Sequence, residues 1–199
     1  MKKHLTERDL TMWQQTALAA AMLERMLPNY KMFSDAANFG DYSVLRNQLD
    51  LIWQRLSQGK VKINYEAQLE KLEDVIPDVD DFDFFGVHPA LDVCMALGSL
   101  LQGMQENDAK IIGNVSLLSK GSVSYYLEIL LASEQADNDE IVIQQQDIDN
   151  HPLMQWELES KRELVTFLAK AKENQQTCQQ LKQMALTEGM SNLGIEIDR

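Results

Sequence analysis

The sequence predicts an all-α fold: an irregular single-domain bundle of about seven helices, packed around a central apolar helix near residues 89–106. Three observations carry this. Apolar side chains recur every three to four positions along most of the chain, the period of one helix face, while strand-like alternation is nearly absent. Nine glycines and four prolines among 199 residues are too few for the turn-rich all-β classes. A chain of that length, 45% hydrophobic, can bury a core without a disulfide or metal staple. Residues 1–199 read as one domain with no internal repeat.

The elements follow from stop and start signals. Thr6, with Asp9 three residues on, resembles a capping box and opens a first helix predicted to run to about Leu27, where Pro28 stops it. Trp13, Ala17, Leu18, Ala20, Ala21, Met22 and Leu23 make it apolar nearly all round, so it belongs inside the bundle. Residues 29–39 read as a short second helix closed by Gly40. Asp41 or Ser43 caps a third, with Leu45, Leu49, Ile52 and Leu56 on one face and Gly59 at its end. Asn64 caps a fourth, striped by Tyr65, Leu69, Leu72 and Ile76 and closed by Pro77. Pro89 suits the first position of the fifth, whose apolar residues point in almost every direction. Asn107 or Asp108 starts a sixth, with Ile112, Val115, Ser122, Tyr125, Tyr126, Ile129 and Leu130 on one face and Gly121 as a kink or break. Residues 134–151, polar and acidic around the apolar island Ile141, Val142 and Ile143, read as a connection carrying a short helix. The last helix is predicted from Pro152 towards Thr187, with Gly189 as its stop.

Charge bounds the partners. The formal net charge is −13 and the bases do not cluster, so neither a nucleic-acid backbone nor an anionic membrane surface is expected as a partner. The longest apolar run, residues 93–101, falls short of the ~20 residues that span a bilayer. Lys2 and Lys3 are followed by Glu7, Arg8 and Asp9 where a signal peptide needs its apolar core, so no export signal is expected. Cys94 and Cys178 sit in apolar helical patterns far apart in the chain, which fits two reduced core thiols in a cytoplasmic protein.

The acids are concentrated. Residues 66–92 hold nine of them against one base, Lys71, and residues 134–150 hold six and no base. Two readings stay open: a surface for a cation or a basic partner, and a solvated face that keeps the protein soluble. Asp78, Asp80, Asp81 and Asp83 invite a calcium loop, but the spacing fails. With Asp78 at position 1, Asp83 stands where the loop needs glycine and Pro89 where it needs a bidentate Glu. Phe82, Phe84 and Phe85 interleave with these acids, which points to a loop that anchors its rings and leaves its carboxylates to water or to helix capping.

No HExxH, GxSxG, GxxxxGK[ST] or GxGxxG string occurs. Met1, Phe85 and Ile148 precede His4, His88 and His151 by three places, so the Glu-x-x-His pairs of a di-iron bundle are absent; no metal and no cofactor is assigned. His88 and Asp92 lie one turn apart, with Cys94 close by, and could form a proton relay; a locally satisfied His at a helix entry is the plainer reading. Among ten methionines and several aromatics at core spacing, Tyr30, Phe33 and Phe39 are the candidates for an apolar binding face.

Several strings in order resemble the YjaG-like family of small bacterial proteins, catalogued as a domain of unknown function. They are Glu24-Arg25-Met26-Leu27-Pro28-Asn29-Tyr30, Leu49-Asp50-Leu51-Ile52-Trp53, Gln68-Leu69-Glu70-Lys71-Leu72-Glu73, Ile76-Pro77, Asp80-Asp81-Phe82-Asp83, Gly86-Val87, Pro89-Ala90-Leu91-Asp92 and Ser191-Asn192-Leu193-Gly194-Ile195. The resemblance implies a cytoplasmic, wholly helical, single-domain protein and brings no catalytic residue with it. Three functional readings result. The leading one is a non-catalytic interaction protein with an acidic surface, engaging a protein partner or a second copy. The next is a small-molecule or metal-binding protein, or an enzyme, using Asp80, Asp81, Asp83, His88 and Asp92. The third, a toxin-neutralising protein, rests on charge alone.

Overall fold

Thr11, rather than Thr6, starts the first long helix. The Thr6–Asp9 capping box does form, but it closes only a single 3-10 turn over Glu7–Asp9. The chain then re-caps: the Thr11 hydroxyl accepts from the Gln14 N–H at 3.2 Å, and the Gln14 side chain accepts from the Thr11 N–H at 2.9 Å. The computed structural model describes residues 5–134, 142–186 and 188–196. Lys2, Lys3, His4, Asp137, Asp139, Glu140, Ile141 and Thr187 lie outside the described residues.

Among the described residues, eight α-helices follow in order: α1 (Met12–Ala37), α2 (Tyr42–Gln58), α3 (Tyr65–Glu73), α4 (Val87–Glu106), α5 (Ala109–Glu134), α6 (Gln145–Asn150), α7 (Pro152–Leu168) and α8 (Gln175–Leu186). Among the described residues there is no strand, and no helix is long and apolar enough to cross a membrane.

The predicted stop at Pro28 is overturned: α1 runs through it to Ala37. An interior proline costs about 3 kcal/mol. Leu23, Met26, Leu27, Tyr30 and Phe33 on both sides of it are fully buried, and each large apolar side chain contributes about 1.5–3 kcal/mol, so burial outweighs the break. Asn38, in the left-handed conformation, ends the helix, and Gly40 (φ 70°) turns the chain where a Cβ would collide with the Tyr30 hydroxyl.

The next elements agree with their signals. Asp41 caps α2 by accepting from the Ser43 N–H at 2.8 Å, and Gly59 closes it at φ 67°. Asn64 caps α3 by accepting from the Ala67 N–H, but that helix ends at Glu73, short of Ile76. Residues 75–77 instead run as a linker whose Val75 carbonyl accepts from the Tyr30 hydroxyl at 2.8 Å. The fifth predicted helix starts two residues before Pro89, and α5 runs unbroken through Gly121.

The single long C-terminal helix is also corrected. It divides into α7 and α8, because Asn174 starts a new helix by accepting from the Thr177 N–H at 3.0 Å. The Thr177 hydroxyl donates back to the Lys172 carbonyl, so the turn between them is hydrogen-bonded. The turn lets α8 fold back onto α1 and α2.

Two helices share the centre. α4 is buried as predicted, but α1, whose residues 17–23 are all buried, packs against α2, α4, α5, α7 and α8. α4 and α5 form a close antiparallel hairpin: a Cβ on Gly103 would stand 2.6 Å from an Ile112 side-chain carbon. A smaller apolar cluster, Val123, Leu127, Ile148, Met154 and Leu193, joins the far end of α5 to α6, α7 and the C-terminal residues.

Candidate functional site

The residues singled out from sequence fall in three separate places. Tyr30 and Phe33 are corrected as an accessible face: both are buried. Phe33 anchors an aromatic cluster, edge-on to Phe82 at 5.0 Å and stacked on Phe84 at 5.7 Å, while Phe39 meets Phe82 at 5.3 Å. Phe39 is itself half-buried against the main core. This cluster fixes the acidic loop. Asp78 accepts from the Asp80 N–H at 3.0 Å and starts a 3-10 turn over Val79–Asp81; Phe82 and Phe84 hold the chain down. Asp80, Asp81 and Asp83 are left exposed, and Phe84 is 41% exposed beside them.

His88 and Asp92 lie elsewhere, on the side of α4 that meets α5. The His88 ring is edge-on to Tyr125 at 4.9 Å and next to Phe85 at 6.2 Å. Burial raises the Asp92 carboxyl above its ordinary value, with the Ser122 hydroxyl and His88 pulling it back. Cys94 does not join them. Two residues on, the helix turns it to the opposite side, where its Sγ points at the Val75 carbonyl 4.0 Å away. Burial pushes the Cys94 thiol up to about 12 and the Cys178 thiol up to about 11, so both are inert as nucleophiles at neutral pH. Among the described residues, no three His, Cys, Asp or Glu side chains are grouped to hold a metal ion. The five residues from 80 to 92 therefore make an exposed acidic loop and a separate half-buried pair on α4.

A polar centre that the sequence did not point to sits on α1. Glu24 and Arg25 interrupt its apolar run, and both are buried. Arg25 donates to Glu157 Oε2 at 2.9 Å and lies 4.2 Å from the centroid of the Trp156 ring. Glu157 also accepts from the Ser119 hydroxyl at 2.5 Å. Asn192 donates to Ser119 and accepts from the Asn29 side chain at 2.8 Å. The Asn192 N–H donates to the Arg25 carbonyl at 3.0 Å, three residues before Pro28. One turn of α1 thus ties α5, α7 and the C-terminal residues together, and two strings that carry the family resemblance meet there.

Glu24 faces the other way. It accepts two hydrogen bonds from Arg46, at 2.7 and 2.9 Å, and one from the Trp53 indole at 2.8 Å. Burial alone lowers the Arg46 guanidinium, but Glu24 and Asp50 together raise it above its ordinary value. Lys182 of α8 closes the set, 3.5 Å from Asp50 and 5.3 Å from the Trp53 ring centroid. For Arg25, burial outweighs Glu157 and lowers the guanidinium below its ordinary value. The cleft over Arg25, lined by Trp156, Glu159, Glu163, Met184 and Glu188, is about 180 Å³, smaller than the roughly 300–1,000 Å³ of small-molecule sites. Both networks therefore join helices to one another. The signal for them was a charged pair inside a helix otherwise apolar all round.

Comparisons agree on one family. The profile described as "Protein of unknown function (DUF416)" matches residues 2–196. "Uncharacterized protein YjaG" of Escherichia coli (strain K12) is 33% identical, the match covering 96% of this chain and 95% of the relative. An "Uncharacterized protein" of Haemophilus influenzae is 35% identical over 97% and 96%. A crystal structure of a DUF416 family protein from Shewanella baltica OS155 superposes with a TM-score of 0.84 at 33% identity, covering 94% of this chain and 95% of that one.

Proposed function

The chain belongs to the DUF416 family, and we propose that it is a non-catalytic interaction module whose partner is a basic protein docking on the acidic segment of α3 and the loop after it. What supports this is a contrast in how carboxylates are used. Glu24, Asp35, Asp50, Glu157 and Glu159 each meet a cation within the chain. Glu66, Glu70, Glu73, Asp74, Asp78, Asp80, Asp81 and Asp83 are all exposed, and none of them has an ion-pair partner among the described residues. Their mutual repulsion costs stability, and an incoming cationic surface relieves it.

Preorganisation argues the same way. The loop is anchored by Phe82 and Phe84 on Phe33, so a partner orders little of it on binding. The exposed part of Phe84 adds an apolar anchor among the charges. Two buried free thiols fit the cytoplasm as the compartment.

The test is affinity capture with the immobilised native chain and with the Asp80→Asn, Asp81→Asn, Asp83→Asn triple variant, at low and high salt. The reading expects a discrete set of proteins that the variant and high salt both release. Equal retention by the two forms contradicts it.

A further inference from the structure

We propose that the outward face of α5 is the seam of a homodimer, two copies crossing antiparallel about a two-fold axis at Gly121. The face carries residues at every fourth position: Gly113, Leu117, Gly121, Tyr125 and Ile129. The three large ones are exposed to 69%, 37% and 41%, Tyr125 being the least open because its ring also packs on His88 and Phe85 of its own chain. At Gly113 and Gly121 an added Cβ would meet nothing within 4 Å, so neither glycine is required by packing inside its own chain. An interior glycine costs a helix about 1 kcal/mol relative to alanine, and these two recover nothing within one copy.

A second copy supplies the missing use. With the axis at Gly121, the two backbones approach closely there, Leu117 of each copy lies beside Tyr125 of the other, and Gly113 gives room to Ile129.

Charge selects both the partner and its direction. α5 carries four charged residues, Lys110 and Lys120 in its first half, Glu128 and Glu134 in its second. None has an ion-pair partner among the described residues. Lys110 in the first turn and Glu134 in the last run against the helix's own dipole, so the order gains nothing inside one chain. Antiparallel pairing about Gly121 sets Lys110 of each copy opposite position 132 of the other, between its Glu128 and Glu134, and leaves a like pair only at Lys120, whereas parallel pairing would oppose like charges at all four positions. Copies of net charge −13 repel over most of their surface, and α5, which sums to zero, is a face on which they do not.

Sedimentation equilibrium and disulfide trapping test this on the full chain. The native chain is expected at twice 22.7 kDa, and Leu117→Asp at a single chain's mass with unchanged helicity. Gly121→Cys is expected to cross-link to its own copy on oxidation. Gly113→Cys is not, because its two copies stand 16 residues apart along the seam, roughly 24 Å. The Lys110→Glu, Lys120→Glu form and the Glu128→Lys, Glu134→Lys form are each expected as monomers alone and as a dimer when mixed. A single-chain mass for the native protein at every concentration overturns the proposal. So does a dimer that persists in Leu117→Asp, or Gly113→Cys cross-linking as readily as Gly121→Cys.

Discussion

Arg25 and Glu157 face each other with 5% and 2% of their side chains exposed, so neither charge can fall back on water if the other is removed. Breaking a buried pair from one side costs about 3–5 kcal/mol, while replacing both partners with apolar residues is often near neutral. Arg25→Met and Glu157→Leu should each lower the urea-unfolding free energy by about that amount. The double variant should recover most of the loss, less what Ser119 and Asn192 forfeit when Glu157 goes. Asp92 behaves differently. Its folded carboxyl binds its proton more tightly than the unfolded chain's, so the native state holds more protons, and stability falls as pH rises from the ordinary Asp value through the raised one. Asp92→Asn should therefore raise the thermal midpoint at pH 7 and leave it unchanged near pH 3, where both forms are neutral. An equal shift at both pH values would assign the effect to packing.

Helix α8 exists as a separate element because of its cap. Asn174→Ala removes the acceptor for the Thr177 N–H and should cost about 1 kcal/mol, read as a lower urea midpoint with an unchanged slope. The same cap shows why some boundaries escaped the sequence. Leu168, Ala171, Cys178 and Leu181 keep helical spacing across the break, and spacing cannot register a turn that a side-chain hydrogen bond inserts. At Pro28 the error ran the other way, since a local stop signal was outweighed by burial that only the assembled bundle supplies. Asp41, Gly59 and Asn64 were legible because each cap is satisfied by residues within four positions of it. The anchoring of the acidic loop was legible too, from phenylalanines interleaved with acids. The Arg25 centre was not, because its members come from four distant stretches of chain.

At the scale of the molecule, the buried carboxylates Glu24 and Glu157 pair with cations of other helices, while those of residues 66–83 face outward, unpaired among the described residues, on a segment fixed from below by Phe33 and Phe39. A surface that only maintained solubility would need no such fixing, since a loose loop repels as well as a rigid one. The most direct measurement is photo-crosslinking in cells, with a photoreactive residue in place of Asp83 or, on the α7–α8 turn, of Lys172. A basic partner on the acidic loop predicts discrete adducts from position 83 that disappear when Asp80 and Asp81 are changed to Asn, and none of the same size from position 172. Adducts that ignore those two charges, or that form equally from both positions, would contradict it.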